Sequence, residues 1–263
     1  MKYLTVILVL ASFIIVLLSS CKKDTALEPL VEELHRIPEN DIDQEIDSLA
    51  FTNAEKALIM NGDSSDTMRV LTIYKISNGD TIRCVEDSLM LRSQSIDVRP
   101  DSTDSILVRL IDRMYKSVIH PNHPGVGIAA PQVGINRNVI WVQRLDKLND
   151  PFEVYLNPEI ISYSSKEIIY NYDGCLSIPG LSGRTDRYSA VCVEYDKLDG
   201  SHHTEVVEGY GYTNFTSIIF QHEIDHLNGI LFIDRLHDNT KLMSDKEFEE
   251  FCKILGEPVP EKR

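Results

Sequence analysis

The chain has 263 residues, 43% hydrophobic and 25% charged, a balance suited to one sizeable globular domain plus an extension. A formal charge of −15 argues against nucleic acid as a partner, because phosphate binding needs a basic surface.

The first element is MKYLTVILVLASFIIVLLSSC. A basic Lys2 precedes an apolar run from Leu4 to Leu18, rather short for a membrane span, which ends in Leu18-Ser19-Ser20-Cys21. This pattern is similar to a bacterial lipoprotein signal, in which a cysteine after small residues is lipidated and becomes the new N-terminus. Residues 1–21 are therefore expected to be a signal, with Cys21 as the lipid site. The mature protein is expected to be exported and held at a membrane. Residues 22–67 are polar, acidic and poor in aromatics, and are expected to form a tether. A short helix is expected within it over Phe51–Met60, stopping before Asn61-Gly62.

A globular pattern is expected over residues 68–250, followed by a C-terminal tail, 251–263. VLTIYK and TIRCV flank Asn78-Gly79, a hairpin signal. SILVRLIDRMYKSVI places Ile106, Leu107, Leu110, Ile111, Met114 and Val118 on a helical stripe. The loop GVGIAAPQVG follows, then three strands read from NVIWVQ, FEVYLNP and EIIYNY. After DGCLSIPG, AVCVEYDKLDG alternates like a half-buried strand, and GYTNFTSIIFQHEIDHLNG reads as the last strong helix. Strands in mixed order with two helices predict an α+β domain rather than a wound parallel sheet.

Within that last helix, His222 and His226 lie four apart and so project from one face. Glu223 stands beside that face, within reach of water at a shared ion. Thr213 or Asn214 is placed to cap the helix, and Gly229 to end it. HExxH is moderately specific for a metal site. The plain alternative is a core helix with two hydrogen-bonded histidines. A catalytic site of this kind takes three protein ligands. In metzincin proteases the third is a histidine six residues after the second, and Phe232 stands there. A gluzincin-like protease would use a downstream glutamate, with Glu247, Glu249 and Glu250 as candidates. Cys175, in DGCLS, is the other supply, since a thiolate suits zinc or ferrous iron. It could equally be a buried thiol or half of a disulfide, because Cys84, Cys192 and Cys252 are also present and exported domains often pair their cysteines.

Three segments then line up. Gly125–Gln132 (GVGIAAPQ), Gly174-Cys175-Leu176-Ser177 and Gln221–His226 (QHEIDH) resemble, in order and spacing, the three motifs of peptide deformylases, and the likeness extends over about residues 68–250. The resemblance implies a deformylase-like α+β fold, with mixed or antiparallel sheets around a central HExxH helix and a helix at the C-terminus. It implies Cys175, His222 and His226 as ligands of one divalent ion, Fe2+ or Zn2+, and Glu223 as general base and then acid. The Gln132 side-chain amide and the Leu176 backbone N–H would form the oxyanion hole, and the Gly127 backbone would bind an extended formylated peptide. Val126, with Phe215, Ile218 and Ile219, is a candidate wall for an apolar first side chain. The implied reaction is removal of the formyl group from formyl-methionyl peptides. The alternatives are a gluzincin-like protease and a lipoprotein that binds formyl peptides without turnover.

Two departures stand out. Relatives usually carry glutamate where this chain has Asp173, paired with an arginine that Arg187 matches. Asn171 falls where relatives tend to place an apolar pocket residue. The resemblance also implies cytoplasmic work on nascent chains, whereas the N-terminus carries an export signal.

Overall fold

In a computed structural model of the chain, the described residues are 48–78, 80–237 and 241–255. They all belong to the compact unit Ser48–Arg263. The expected signal, Cys21 and the first part of the tether lie outside them. No helix among the described residues is long and apolar enough to cross a membrane.

The first helix, α1 (Asn53–Met60), is held by a reciprocal cap. Thr52 Oγ1 accepts from Glu55 N at 3.2 Å, and Glu55 Oε2 accepts from Thr52 N at 2.7 Å. This helix is not part of a tether. Phe51, Ile59 and Met68 are buried in the main core, and two buried arginines hold the segment through its backbone. Arg137 donates to Ser48 O (3.1 Å) and Ala50 O (2.6 Å), and forks onto Glu55 at 2.7 and 2.8 Å. Arg113 donates to the carbonyls of Leu58, Ile59, Asp66 and Thr67. The globular domain therefore begins by Ser48, not at residue 68. The polar composition of this stretch concealed its partners, which lie far downstream in sequence.

Next come the hairpin β1 (Tyr74–Ser77) and β2 (Asp80–Arg83), then α2 (Val85–Leu91) and α3 (Ser105–Val118). Asp104 caps α3 by accepting from Ile106 N at 2.8 Å. The predicted stripe buries Leu107, Leu110, Ile111, Met114 and Val118 against Ile128, Val139 and Leu156. A five-stranded antiparallel sheet follows, in the order β3 (Gly127–Ala129), β4 (Val139–Gln143), β5 (Phe152–Tyr163), β8 (Ala190–Asp196) and β9 (His202–Glu208). A three-stranded antiparallel sheet joins β6 (Glu167–Cys175), β7 (Ile178–Tyr188) and β10 (Met243–Ser244).

Helix α4 (Thr216–Leu227) is buried along its whole length. Ile219, Phe220, Ile224 and Leu227 pack on Ile140, Val142, Tyr155, Val193 and Val207 of the five-stranded sheet. The N-cap is Phe215, which makes no side-chain cap bond, rather than the expected Thr213 or Asn214; Asn214, one residue before it, accepts at Oδ1 from Thr216 N at 3.2 Å. Past the helix end Gly229 turns back with φ +69°, and a Cβ there would meet Arg92 O at 2.4 Å. The last helix, α5 (Asp245–Leu255), runs past residue 250, where a tail was expected to begin. Phe248 packs edge-on against Tyr172 at 5.6 Å, and Cys252 is fully buried, so apolar spacing carries the helix through Glu249-Glu250. Cys84, Cys175, Cys192 and Cys252 are all free, so the disulfide alternative falls.

Replacing Arg137 with methionine strands Glu55 and three carbonyls, Asp97 O among them. The unfolding free energy measured by urea titration should fall by about 3 kcal/mol. The same titration on a protein beginning at residue 68 should show a loss at least as large.

Candidate metal centre

The two histidines of α4 lie one turn apart, their rings edge to face with centroids 5.0 Å from each other. Strand β6 ends on Cys175, at the tight turn where it pairs with Ile178 of β7. That turn brings the thiol to 3.2 Å from His226 Nε2. Cys175, His222 and His226 each offer one donor atom, and all three atoms lie within 4.8 Å of one another. Zinc–sulfur bonds of about 2.3 Å and zinc–nitrogen bonds of about 2.0–2.1 Å put tetrahedral ligands about 3.5 Å apart. One sulfur with two imidazoles is also a donor set that suits zinc or ferrous iron. The residues present therefore fit one divalent ion. Glu247 lies elsewhere, exposed, with its carboxylate accepting from Ser244 N at 2.8 Å, and Glu249 and Glu250 are exposed too. The third donor beside the histidines is Cys175. Phe232, at the metzincin ligand position, lies against the His222 ring with centroids 6.4 Å apart.

One of the imidazoles is held from behind, while His226 Nδ1 is buried without a hydrogen-bond partner. His222 Nδ1 bonds Asp173 Oδ1 at 2.8 Å, which leaves Nε2 as its donor atom. Asp173 Oδ2 accepts from Arg187 at 2.7 and 3.1 Å and from Thr185 Oγ1 at 2.8 Å. Arg187 in turn donates to Asp225 Oδ2 at 2.6 Å, and Arg235 donates to Asp225 Oδ1 at 2.8 Å. The Asp173–Arg187 pair persists despite the shorter arm of aspartate. Burial alone would raise the Asp173 carboxyl, but the charges of Arg187 and His222 hold it well below the usual range. Burial alone would lower His222, but Asp173 lifts it well above its ordinary value. Burial, aided by the neighbouring His222, pushes His226 well below its own.

Glu223 is buried beside them. Its Oε2 is buried without a protein partner, and burial pushes its carboxyl up to about 7. A Cβ at Gly127 would stand 2.5 Å from Glu223 Oε1, so only glycine leaves room for this carboxylate. Gln132 is buried in the one-turn helix Ala130–Val133. Its Oε1 accepts from Ala129 N at 2.8 Å, which turns the amide nitrogen toward Ser177 Oγ (3.3 Å) and Cys175 Sγ (3.5 Å). Leu176 and Val126 are half-buried at the same loops. Of the other candidate pocket residues, Phe215 is half-buried, while Ile218 and Ile219 are core.

Several site residues escaped sequence reasoning. Asp225 lies inside HEIDH, where the sequence assigns it no role, and it is buried beside Arg187 and Arg235. Ser177 is fully buried, and its N–H points at Cys175 Sγ at 3.4 Å. Its place in DGCLS was the available signal. Thr185 carried none. Asn171 Oδ1 accepts from Arg184 Nε at 3.2 Å, so its polar group is satisfied within the β6–β7 hairpin.

Residues 80–242 match the family model described as polypeptide deformylase. Peptide deformylase 2 of Nostoc sp. is 35% identical over 153 residues, covering 56% of this chain and 81% of that protein. The peptide deformylase of Thermotoga neapolitana is 38% identical over 150 residues, 57% of this chain and 84% of that protein. Among solved structures, the class I type b peptide deformylase from Acinetobacter baumannii bound to Met-Ala-Ser matches with a TM-score of 0.51 at 33% identity. The match covers 65% of this chain and 99% of that one.

Two substitutions test the centre. Cys175→Ser should lower the metal retained per chain after dialysis against a chelator. Asp173→Asn frees His222 from its charged anchor and should weaken metal affinity by about 10–100-fold in a competition titration.

Proposed function

The chain belongs to the polypeptide deformylase family, and we propose that Cys175, His222 and His226 hold one divalent ion, Fe2+ or Zn2+, at the axis of its catalytic site. The activity is that of a metal-dependent hydrolase that removes the N-terminal formyl group from formyl-methionyl peptides or proteins, releasing formate. The observation that supports the site assignment most is the convergence of a sheet-end thiol on the two imidazoles of α4. When bound, the ion supplies Lewis acidity, which polarises a carbonyl and makes water nucleophilic near neutral pH.

The remaining work falls to the protein's own groups. Glu223, buried and unpaired, takes a proton from the attacking water and delivers it to the leaving amine, an effect typically worth about 10²–10⁴-fold. The Gln132 amide, fixed through its carbonyl to Ala129 N, donates to the developing oxyanion together with the Leu176 N–H. An amide suits that role because it donates without carrying charge or competing for the metal. Asp173, anchored by Arg187, keeps His222 in the tautomer whose Nε2 faces the ion. The backbone of Gly127 lies beside Glu223, where an extended peptide bonds along β3. Val126 borders its first side chain. The tripeptide Met-Ala-Ser, bound by the Acinetobacter protein, represents the substrate class.

The proposal extends to location. Residues 1–21 act as a lipoprotein signal and Cys21 carries the lipid, which places the enzyme outside the cytoplasm on a membrane. Its substrates there are formyl peptides or finished formylated proteins. The supporting feature is the sequence itself, a basic residue, a short apolar run and a cysteine after two serines.

Metal-loaded protein lacking residues 1–21 should release formate steadily from formyl-Met-Ala-Ser, and stoichiometric binding without turnover would contradict the assignment. Glu223→Gln should reduce that release by about 10²–10⁴-fold with metal content unchanged. In fractionated cells Cys21→Ala should move the protein from the membrane to the soluble fraction.

A further inference from the structure

The β1–β2 hairpin is rooted on the loops of the metal site. Leu71 N donates to Gln132 O at 2.7 Å, and Ile73 N donates to Ser177 O at 3.0 Å. Tyr74 Oη donates to Pro179 O at 2.5 Å. The stretch leading into β1 therefore ties together the segment that carries Gln132 and the turn that carries Cys175 and Leu176. Beyond this root, among the described residues, the hairpin forms a two-stranded sheet of its own. Such a hairpin has too little apolar surface to be stable alone, so its root holds it up.

The outer part is poorly covered. Ile76 is 64% exposed and Ile82 43%. Alternation along the strand puts Ile76 on the same face as Tyr74, and the cross-strand register adds Arg83 and Thr81 to that face. The face whose Tyr74 reaches Pro179 thus offers an apolar side chain and a guanidinium, with the exposed Pro179-Gly180 between it and Cys175. The match to the family model begins at residue 80, at the start of β2.

We infer that this hairpin is an added subsite that binds the substrate polypeptide beyond its first residues, taking an apolar side chain against Ile76 and an acidic one beside Arg83. The inference rests on the deformylase reading above. Continuity is what favours the substrate as occupant. A peptide whose formyl group lies between Gln132 and Leu176 is already beside the turn on which the hairpin stands. Each further extended residue advances about 3.3 Å. A tripeptide uses the inner cleft alone, whereas a longer chain passing over Pro179-Gly180 meets the hairpin face.

The test compares formyl-Met-Ala-Ser with a formyl nonapeptide that begins Met-Ala-Ser and continues with leucine and glutamate residues. The metal-loaded domain should show a kcat/KM about tenfold higher on the nonapeptide, the gain expected from one buried apolar contact. Ile76→Asp and Arg83→Glu, both at exposed positions, should each reduce that surplus while turnover of the tripeptide stays unchanged. Equal kcat/KM on the two peptides overturns the inference. So does a surplus that survives both substitutions, or a loss that falls equally on both peptides. Failure of the unsubstituted protein to release formate from the tripeptide would overturn the deformylase reading, and this inference with it.

Discussion

Asp173 is the point on which the site hangs. One carboxylate oxygen fixes Nδ1 of His222, and the other accepts from Arg187 and Thr185. The aspartate belongs to the three-stranded sheet and the histidine to α4, so this contact joins the sheet that carries Cys175 to the helix that carries the imidazoles. A buried carboxylate survives only when its charge is matched. Arg187 supplies the match and is itself shared with Asp225, which Arg235 also holds. Two acids and two arginines thus brace the back of one imidazole. Aspartate, where relatives usually carry glutamate, still makes both contacts at normal hydrogen-bond lengths.

The front of the site owes its shape to exclusion. Helix α4 is buried throughout, and aromatic and aliphatic side chains seal it against the five-stranded sheet. Burial lifts Glu223, which no protein hydrogen bond satisfies at Oε2. Gly127 makes that placement possible, because any side chain there would collide with the carboxylate. The same glycine lies on the strand along which an extended peptide would bond. The requirement for glycine at this position is steric rather than conformational.

Much of this was legible in the sequence, for reasons that differ from residue to residue. The stripe of α3 and the i, i+4 histidines of α4 are local patterns, set by helical geometry alone. The role of Cys175 was not local. Taken alone, the thiol could equally have been a half-cystine, and only the order and spacing of three motifs linked it to the histidines. The N-terminal boundary was misjudged because residues 48–67 look like a solvated linker. What fixes them is Arg113 and Arg137, whose guanidinium groups satisfy backbone carbonyls across long separations. Main-chain recognition of that kind leaves no trace in the composition of the recognised segment. Asp225 was missed for a similar reason, since an acid at a variable position of a motif gives no sign of which arginine it will meet.

The account turns on the sulfur of Cys175 sharing an ion with two imidazoles, and metal-edge X-ray absorption tests that directly. Protein loaded with one equivalent of zinc should show one sulfur at about 2.3 Å and nitrogen or oxygen neighbours at about 2.0–2.1 Å. A first coordination sphere of nitrogen and oxygen alone would contradict it.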